Sequence, residues 1–390
     1  MSDFADFFPK LLVLAALLLA ALAAAPVAQR LGLPGPAAFL AVGVGAGLLG
    51  IAPTDDLSTV ALEQIGAVAL YAILFQGGLA TGFRAFRRSA QPIVLLGLPG
   101  TAVTAGALAV LGHVLLGLDW ELAFLVGIAL SPTDPAAVYA VLRGQRADTR
   151  SRTILEGESG FNDPVGISLM VVAVAALGED GTGAGGAAVR LVEELGIGVA
   201  GGVVGGLALA AVLRATPRLE EGLQSVAVLA GALLVAAATA SLHGSGFLAV
   251  YLTGLLVADR WKAKDGPRHP VPEAVGAVAE PVLFGLLGAA FAPLVGAGDV
   301  WRGLALTLLT ALAVRPLVAS ACLAGSGLVR AERTLVAWGG LKGAVPLLLA
   351  AFPALEGLDG ADTVQAVVLV ATAASILVQG ATLGLVARRV

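Results

Sequence analysis

Residues 154–174 read ILEGESGFNDPVGISLMVVAV and place acidic side chains in a segment that is otherwise hydrophobic enough to cross a membrane. The second half of the stretch is apolar, whereas the first half carries Glu158, Asn162 and Asp163, with Pro164 directly after the last acid. Charged groups are costly to bury in a membrane helix and usually serve a function there. A proline inside a helix also removes one backbone hydrogen bond. The stretch therefore predicts a polar site and a break within a membrane-spanning segment.

The composition of the whole chain indicates a membrane protein. Of its 390 residues, 58% are hydrophobic and only 13% are charged, and the mean hydropathy is +0.93. Soluble domains carry about 25% charged residues. Apolar runs long enough for transmembrane helices, which need roughly 20 residues, recur along the chain. We expect an all-α polytopic membrane protein that contacts lipid and binds no nucleic acid. The single cysteine, Cys322, excludes an intramolecular disulfide.

Thirteen candidate spans can be placed on the sequence. They cover approximately residues 9–30, 34–52, 62–81, 91–117, 120–142, 153–178, 187–213, 222–241, 246–259, 272–296, 301–325, 333–354 and 363–387. The first run is expected to be a retained helix, because residues 1–10 lack the basic region of a signal peptide. We expect the membrane unit, residues 1–390, to be the whole protein.

The positive charges are distributed unevenly between the two sides of this map. One set of alternate loops, with the C-terminus, holds eighteen of the 23 Lys and Arg residues, and the opposite side holds Lys10, Arg190 and Arg302. Positive residues accumulate on the cytoplasmic side of membrane proteins. We therefore predict a protein of the cytoplasmic (inner) membrane with its N-terminus outside and its C-terminus in the cytoplasm.

Two spans carry the sequence signature of an interrupted helix. In SPTDPAAV (131–138), Pro132 and Pro135 bracket a threonine and an aspartate, and in WGGLKGAVPLLLA (338–350) three glycines and a proline surround Lys342. Proline and glycine in two separate membrane segments indicate a binding site near the bilayer midplane. There, the ends of half-helices and freed carbonyl groups supply partial charges to an ion. The residues placed at this site are Thr133, Asp134 and Lys342.

The polar residues of the sixth span complete the predicted site. Glu158 and Asn162 are four residues apart, as are Ser159 and Asp163, so all four share one broad helix face. Pro164 is expected to free the carbonyl of the residue four positions earlier. Carboxylate, hydroxyl, amide and carbonyl oxygens suit a hard cation. We interpret the polar face and the break as an ion site.

Three further polar residues need an interpretation. Arg315, in LAVRPLVAS (312–320), lies inside the eleventh span and is a functional candidate. Glu280 precedes a proline near the predicted cytoplasmic end of the tenth span, where it is either a local structural cap or a functional carboxylate. His113 in the fourth span is expected to be a hydrogen-bonded packing residue.

The four motifs together resemble those of the monovalent cation:proton antiporter-1 family, the sodium/proton antiporters of the NhaP and NHE type. SPTDPAAV is similar to the Thr-Asp segment of that family's interrupted helix, and GESGFNDPVG (157–166) to its Glu-Ser-x-x-Asn-Asp segment. WGGLKGAVP is similar to its Gly-Gly-Leu-Arg-Gly-Ala segment, and LYAILFQGGLATGF (70–83) to its third span. The resemblance covers nearly the whole chain and keeps the order of the motifs.

The resemblance implies a fold and an assembly. It implies thirteen helices in two inverted repeats with two interrupted, crossing helices, as in the NhaA/NapA-like antiporter fold, and a homodimer. Residues 1–90 and 222–296 would form the dimerisation scaffold and residues 187–213 a linker helix. Residues 91–180 and 300–390 would form a core that carries the ion in an elevator-like motion.

The resemblance also implies a role for each site residue. Asp163 would be the main carboxylate that binds the cation and the proton, and Asp134, Ser159 and the backbone carbonyl of Thr133 would complete the site. Asn162 would support the crossing of the broken helices, and Glu158 would pair with Arg315 beside the site. Lys342 stands where the family more often has arginine, and lysine cannot make a bidentate contact.

The predicted function is secondary active antiport of a monovalent cation against H⁺, with no catalytic residues, no enzymatic activity and no cofactor. We expect Na⁺ first and Li⁺ second, in electroneutral 1:1 exchange; exchange of K⁺ for H⁺ is the alternative. Two other classes remain open. A passive cation channel would need no carboxylate that alternates between proton and ion. An intramembrane serine protease would use the Gly-x-Ser-Gly signatures GESG (157–160) or HGSG (243–246) with a histidine held against the serine.

Overall fold

The computed structural model describes residues 2–52, 59–134, 149–178, 184–216, 220–260 and 270–388, and every regular element in them is helical. The α-helices are α1 (Ser2–Arg30), α2 (Gly35–Leu48), α3 (Thr59–Thr81), α4 (Phe83–Arg88), α5 (Ala90–Leu95), α6 (Thr101–Leu116), α7 (Trp120–Ala129), α8 (Thr149–Leu177), α9 (Ala184–Ala215), α10 (Glu221–Ser241), α11 (Gly246–Arg260), α12 (Pro270–Phe291), α13 (Ala297–Leu309), α14 (Arg315–Cys322), α15 (Arg330–Trp338), α16 (Ala344–Leu355), α17 (Ala361–Ser375) and α18 (Ala381–Ala387).

In the part of the chain that the structure describes, each of the thirteen predicted spans contains one helix or two helices that follow each other along the chain. Within the described residues, nine helical segments are long and apolar enough to cross a membrane, and shorter apolar helices account for most of the other spans. The segments α5–α6, α13–α14 and α17–α18 each pass through a single π-helical turn, at Leu96–Gly100, Thr310–Val314 and Ile376–Gly380 respectively. The predicted all-α membrane architecture is confirmed.

Both predicted interruptions are present. Helix α7 ends at Ala129, and the chain continues without helical structure through Pro132–Asp134. The remainder of that predicted span, 135–142, lies outside the described residues. The twelfth span is divided into α15 and α16 by a non-helical segment at residues 339–343.

The predicted break at Pro164 is wrong. Helix α8 continues from Thr149 to Leu177 with this proline inside it. The nearby glycines serve close packing: a Cβ atom at Gly157 would lie 2.5 Å from the side chain of Ile93, and one at Gly160 would lie 2.2 Å from the ring of Tyr251. Proline removes only one donor of the helix, and the helices packed around α8 hold the remaining turns in place.

Glycines bring the backbones of α2 and α12 into direct contact. A Cβ atom at Gly43 would lie 2.3 Å from the carbonyl oxygen of Gly285, and one at Gly47 would lie 2.2 Å from that of Ala289. Small residues four apart allow such close approach between membrane helices. Helix α12 also packs against α3, and α3 packs against α11.

The helices differ in how much of their surface is covered by other helices. In the most hydrophobic window of α1, 11% of residues are buried, and in those of α9 and α10 the shares are 22% and 28%. The corresponding share is 61% for α8 and for the segment α17–α18. Apolar helices with exposed faces suit contact with lipid, whereas α8 and α17–α18 lie in the interior of the bundle.

Replacement of Gly43 by alanine is expected to destabilise the protein, because the new methyl group meets a backbone carbonyl that has no freedom to move aside. Overpacking of this kind costs about 1–3 kcal/mol. Gly45→Ala is the matched control on the same helix, since a Cβ atom there meets nothing within 4 Å. Apparent melting temperatures in detergent should fall for Gly43→Ala and stay near the wild-type value for Gly45→Ala. Equal melting temperatures for the two variants would contradict this packing.

Candidate ion-binding site

The two non-helical segments meet at the centre of the bundle. The backbone N–H of Asp134 donates a hydrogen bond of 2.8 Å to the carbonyl of Leu341. A Cβ atom at Gly343 would lie 1.8 Å from the carboxylate oxygen Oδ2 of Asp134, so only glycine leaves room for this carboxylate. This meeting point of the two non-helical segments is called the crossing, and it places the Asp134 side chain directly against the backbone of the second interrupted helix.

In each non-helical segment, one backbone N–H donates a hydrogen bond to a polar side chain. That side chain comes from a helix further along the same half of the chain. In the first segment, the N–H of Thr133 donates to Asn162 Oδ1 at 3.3 Å, and Asn162 Nδ2 donates to the Thr133 hydroxyl at 2.9 Å. In the second, the N–H of Lys342 donates to the Ser375 hydroxyl at 3.0 Å, and that hydroxyl donates to Gln379 at 2.7 Å. This arrangement compensates for the helical hydrogen bonds that the two segments lack.

The ammonium group of Lys342 bonds to carbonyl groups that follow the end of α7. Its Nζ atom donates to the carbonyl of Pro132 at 3.0 Å and to that of Ser131 at 3.3 Å. The carboxyl end of a helix carries a partial negative charge, which a cation stabilises. Lys342 is buried, with 3% of its surface exposed, and connects the two interrupted helices.

Asp163 is the buried carboxylate with an uncommitted oxygen. Only 1% of its surface is exposed, and its Oδ1 atom has no hydrogen-bond partner among the described residues. It lies within electrostatic range of Asp134, Glu158 and Lys342. The hydroxyl of Ser159, one turn before Asp163 on α8, shares a hydrogen bond of 2.9 Å with the hydroxyl of Thr133.

Glu158 and Arg315 form a buried bidentate ion pair between α8 and α14. Arg315 Nη1 pairs with Oε1 of Glu158, and Nη2 donates to Oε2 at 2.7 Å. The same Nη2 donates to the carbonyl of Val336 at 3.0 Å. A Cβ atom at Gly340 would lie 2.7 Å from Arg315 Nε, so the guanidinium group packs on the non-helical segment. The pair therefore holds the second interrupted helix against α8.

Among the residues that the structure describes, the buried charges at the crossing do not balance. Three buried acids, Asp134, Glu158 and Asp163, face two buried bases, Arg315 and Lys342. With all five ionised, the group carries one net negative charge in a medium where an unbalanced charge is costly. One monovalent cation or one proton would neutralise it. No cluster of three or more His, Cys, Asp or Glu side chains suited to a metal ion is present within the described ranges.

The structure brings the eight residues singled out from the sequence to one region. They are Thr133, Asp134, Glu158, Ser159, Asn162, Asp163, Arg315 and Lys342. Sequence reasoning did not identify Ser375 and Gln379, although two polar residues four apart in an otherwise apolar span were a usable signal. His113 is the packing residue expected: its Nδ1 atom lies 2.8 Å from the carbonyl of Leu118.

Glu280 is not placed as a helix cap near the cytoplasmic end. It lies in the middle of α12, which extends from Pro270 to Phe291. Its side chain is half-buried, and its Oε1 atom has no hydrogen-bond partner among the described residues.

The Glu158–Arg315 pair generates a prediction on stability. Removal of one partner of a buried ion pair leaves the other charge unpaired and costs about 3–5 kcal/mol. We expect Glu158→Ala and Arg315→Ala each to lower the apparent melting temperature strongly, and the double variant to lose much less than the sum of the two. Melting curves in detergent of the wild type, the two single variants and the double variant give the coupling energy between the two side chains. Additive losses would mean that the two side chains do not stabilise each other.

Comparison with known proteins shows which family has a similar sequence. The profile of the family described as "Sodium/hydrogen exchanger, transmembrane" matches residues 15–389. The chain is 36% identical over 372 residues to a K(+)/H(+) antiporter NhaP2 of Shewanella sp. (strain MR-4), covering 93% of this chain and 64% of that protein. It is 29% identical to the Na(+)/H(+) antiporter ApNhaP of Aphanothece halophytica, covering 89% of this chain and 68% of that protein. The chain thus spans about two thirds of the length of these relatives.

A solved structure shares the fold. The sodium proton antiporter MjNhaP1 from Methanocaldococcus jannaschii matches with a TM-score of 0.81 at 21% identity, covering 98% of each chain. The interrupted helices, the buried acids at their crossing and the profile match over nearly the whole sequence agree with one another. This chain belongs to the transmembrane sodium/hydrogen exchanger family.

Proposed function

We propose that this protein is a secondary antiporter that exchanges one monovalent cation for one proton across the membrane. The observation that carries the proposal is the uncommitted carboxylate oxygen of Asp163, which lies buried at the crossing of the two interrupted helices. We assign three further oxygen groups to the cation site: the Asp134 carboxylate, the Ser159 hydroxyl and the backbone carbonyl of Thr133, whose own hydroxyl shares a hydrogen bond with Ser159. The antiport activity of the relatives supports the same conclusion.

Exchange follows from competition for one group. A carboxylate removed from water is stable when it binds either a proton or a cation, and the two exclude each other. Arg315 cannot release a proton under physiological conditions, and Asn162 carries no titrating group. Lys342 is engaged with two carbonyl acceptors at the end of α7. Glu158 is paired with Arg315, and we assign the competition to Asp163 because its Oδ1 atom has no partner among the described residues.

The transport cycle is assigned to a motion of one part of the chain against another. In this proposal residues 91–180 and 300–390 carry the ion, residues 1–90 and 222–296 form the stationary scaffold of a homodimer, and 187–213 is the linker helix. The close backbone packing of α2 on α12 suits a rigid scaffold. Hydrogen bonds join the two non-helical segments to each other, the first of them to α8, α8 to α14, and α14 to α15, and these bonds suit a single moving body.

The exchanged cation has two candidates. The oxygen donors at the crossing suit Na⁺, which we propose as the main substrate, with Li⁺ as a second one. Potassium is supported by the relatives, because the 36% identical protein of Shewanella and a 30% identical protein of Alkalimonas amylolytica are both K⁺/H⁺ antiporters. The positive charges of the loops support the cytoplasmic membrane, with the C-terminus inside.

The two rival classes have less support. A protease would need a histidine against Ser159, but the Ser159 hydroxyl bonds to Thr133, and His113 is stacked on Trp120 at a centroid distance of 4.1 Å. A passive channel would not require a proton gradient. Fluorescence quenching in everted vesicles, after addition of Na⁺, Li⁺ and K⁺ in turn, tests antiport and identifies the cation.

Replacement of Asp163 by asparagine is expected to abolish exchange while leaving the protein inserted and folded. A neutral amide of the same shape neither binds a proton nor balances a cation. The matched control is Asp362→Asn, which removes an exposed acid in the first turn of α17. Exchange in everted vesicles should be lost only in the first variant. Wild-type rates in Asp163→Asn would overturn the assignment of the site.

The stoichiometry gives a second test. If one cation displaces one proton at Asp163, the loaded protein carries the same charge in both directions and exchange is electroneutral. Transfer of one net charge across 100 mV corresponds to about 2.3 kcal/mol, so an electrogenic cycle responds strongly to the membrane potential. In proteoliposomes, a potential set with valinomycin should leave Na⁺-driven proton movement unchanged if K⁺ is not a substrate. Clear acceleration of proton movement by the potential would indicate a second titrating group, and Lys342 would be the first residue to test.

A further inference from the structure

A cavity outside the crossing lies between the proposed scaffold and the proposed ion-carrying body. Its volume is about 260 Å³, far more than a single water molecule requires. Tyr71 of α3 and Phe247 of α11 line it from the scaffold, whereas Ile167 of α8 and Leu348 of α16 line it from the ion-carrying body. The turn between α10 and α11 also lines it, and this turn lies on the predicted outer side of the membrane.

Glu194, on the proposed linker helix α9, is the only charged side chain that lines this cavity among the described residues. Its Oε1 atom accepts a hydrogen bond of 2.7 Å from the hydroxyl of Ser168 on α8, and its backbone carbonyl accepts one of 2.9 Å from the N–H of Ser245. Both serines are buried, and their hydroxyl oxygens lie 3.4 Å apart. These bonds hold the Glu194 carboxylate in position on the cavity wall.

The turn between α10 and α11 packs closely on α9. It contains the HGSG motif (243–246), which the proposed exchange site does not use. A Cβ atom at Gly244 would lie 2.5 Å from the side chain of Ile197, and one at Gly198 would lie 3.0 Å from Ser245. Glycine at these two positions allows the turn to approach the helix, so Ser245 reaches the backbone of Glu194.

No basic side chain forms an ion pair with Glu194 in the described ranges. Arg190, one turn earlier on α9, is exposed and does not pair with it. Glu194 is half-buried, and a carboxylate that is partly removed from water without a basic partner is stabilised by a nearby cation. Carboxylate and hydroxyl oxygens are also the groups that suit a hard cation.

The cavity ends close to the proposed exchange site. Ile167, which lines it, follows Asp163 by one turn of α8, and residues four apart share a helix face. Asp163 does not itself line the cavity, and Ile167 and Leu348 are almost fully buried. A cation held by Glu194 is therefore on the outer side of the exchange site.

We propose that Glu194 binds a partly hydrated monovalent cation in this cavity, at a site through which the transported cation passes between the outer medium and Asp163. This inference rests on the proposed antiport function. Because α9 lies outside the proposed ion-carrying body, Glu194 stays on the outer side throughout the transport cycle. It raises the cation affinity of the outer face alone and leaves the charge that crosses the membrane unchanged.

The first test uses Glu194→Gln, which removes the charge and keeps an oxygen that can accept the hydrogen bond from Ser168. The half-saturating concentration of the transported cation is measured in right-side-out vesicles for the outer face and in everted vesicles for the cytoplasmic face, with choline chloride keeping the ionic strength constant. We expect a rise of about five-fold at the outer face and of less than about two-fold at the cytoplasmic face, from the loss of one charge in contact with water. Glu193→Gln is the matched control, since it removes the adjacent exposed acid of α9 and should change neither value.

A second variant separates the charge of Glu194 from its hydrogen bond. Ser168→Ala removes the hydrogen bond and keeps the charge, so half-saturation at the outer face should stay near the wild-type value. A rise as large as that in Glu194→Gln would assign the effect to the hydrogen bond and overturn the inference. Unchanged half-saturation in Glu194→Gln at both faces, or an equal rise at both, would also overturn it.

Binding to purified protein provides a measurement that does not require transport. The broadening of the sodium NMR line by Na⁺ binding is measured with Asp163→Asn protein, which lacks the proposed exchange carboxylate. The broadening should decrease when Glu194→Gln is added to this variant and stay unchanged when Glu193→Gln is added. Equal broadening in all three proteins would contradict a cation site at Glu194. Failure of the proposed function is distinguishable, because it appears as wild-type vesicles that exchange no tested cation for protons.

Discussion

The architecture depends on one constraint: backbone groups that leave helical structure inside a membrane must find hydrogen-bond partners within the protein. The chain leaves helical structure twice at its centre, and side chains from other helices meet the requirement. Asn162 binds the N–H of Thr133, Ser375 binds that of Lys342, and Lys342 binds the carbonyls at the end of α7. Side chains that appear to be ion ligands in the sequence therefore act partly as supports for the backbone.

This division of roles explains why one carboxylate remains available. Of the buried charges at the crossing, Glu158 and Arg315 neutralise each other, and Lys342 is held by carbonyl groups. The Asp134 carboxylate is packed against a glycine, and its backbone N–H bonds to Leu341. Asp163 retains an oxygen atom without a partner. The rigid supports hold this carboxylate in position, and a proton and a cation compete for its unpartnered oxygen atom.

Sequence reasoning identified the interrupted helices correctly where proline or glycine occurs on both sides of a polar residue, as at Pro132 and at Gly340 with Gly343. It failed at Pro164, because a proline removes only one donor of the helix and Ile93 and Tyr251 pack closely on α8 at Gly157 and Gly160. Spacing along the chain does not distinguish these two uses of glycine. The distinction depends on which distant side chain packs on the glycine, and this is a property of the tertiary structure.

Sequence reasoning was limited in the same way for polar residues whose partners are distant in sequence. The four polar side chains on α8 were recognised because they lie in one short motif, whereas Ser375, Gln379 and the carbonyl partners of Lys342 are far from that motif in sequence. The position of Glu280 was also misjudged, since a glutamate before a proline is common near a helix end. The structure instead places it in the middle of α12.

The central claim is that one cation displaces one proton from Asp163. It is tested most directly by measuring proton release when the transported cation is added to purified protein in a weakly buffered detergent solution, with calorimetry in buffers of different ionisation enthalpy to count protons and cations together. The account predicts close to one proton released per cation bound in each protomer, and none in a variant in which asparagine replaces Asp163. Binding of the cation without release of a proton would contradict it.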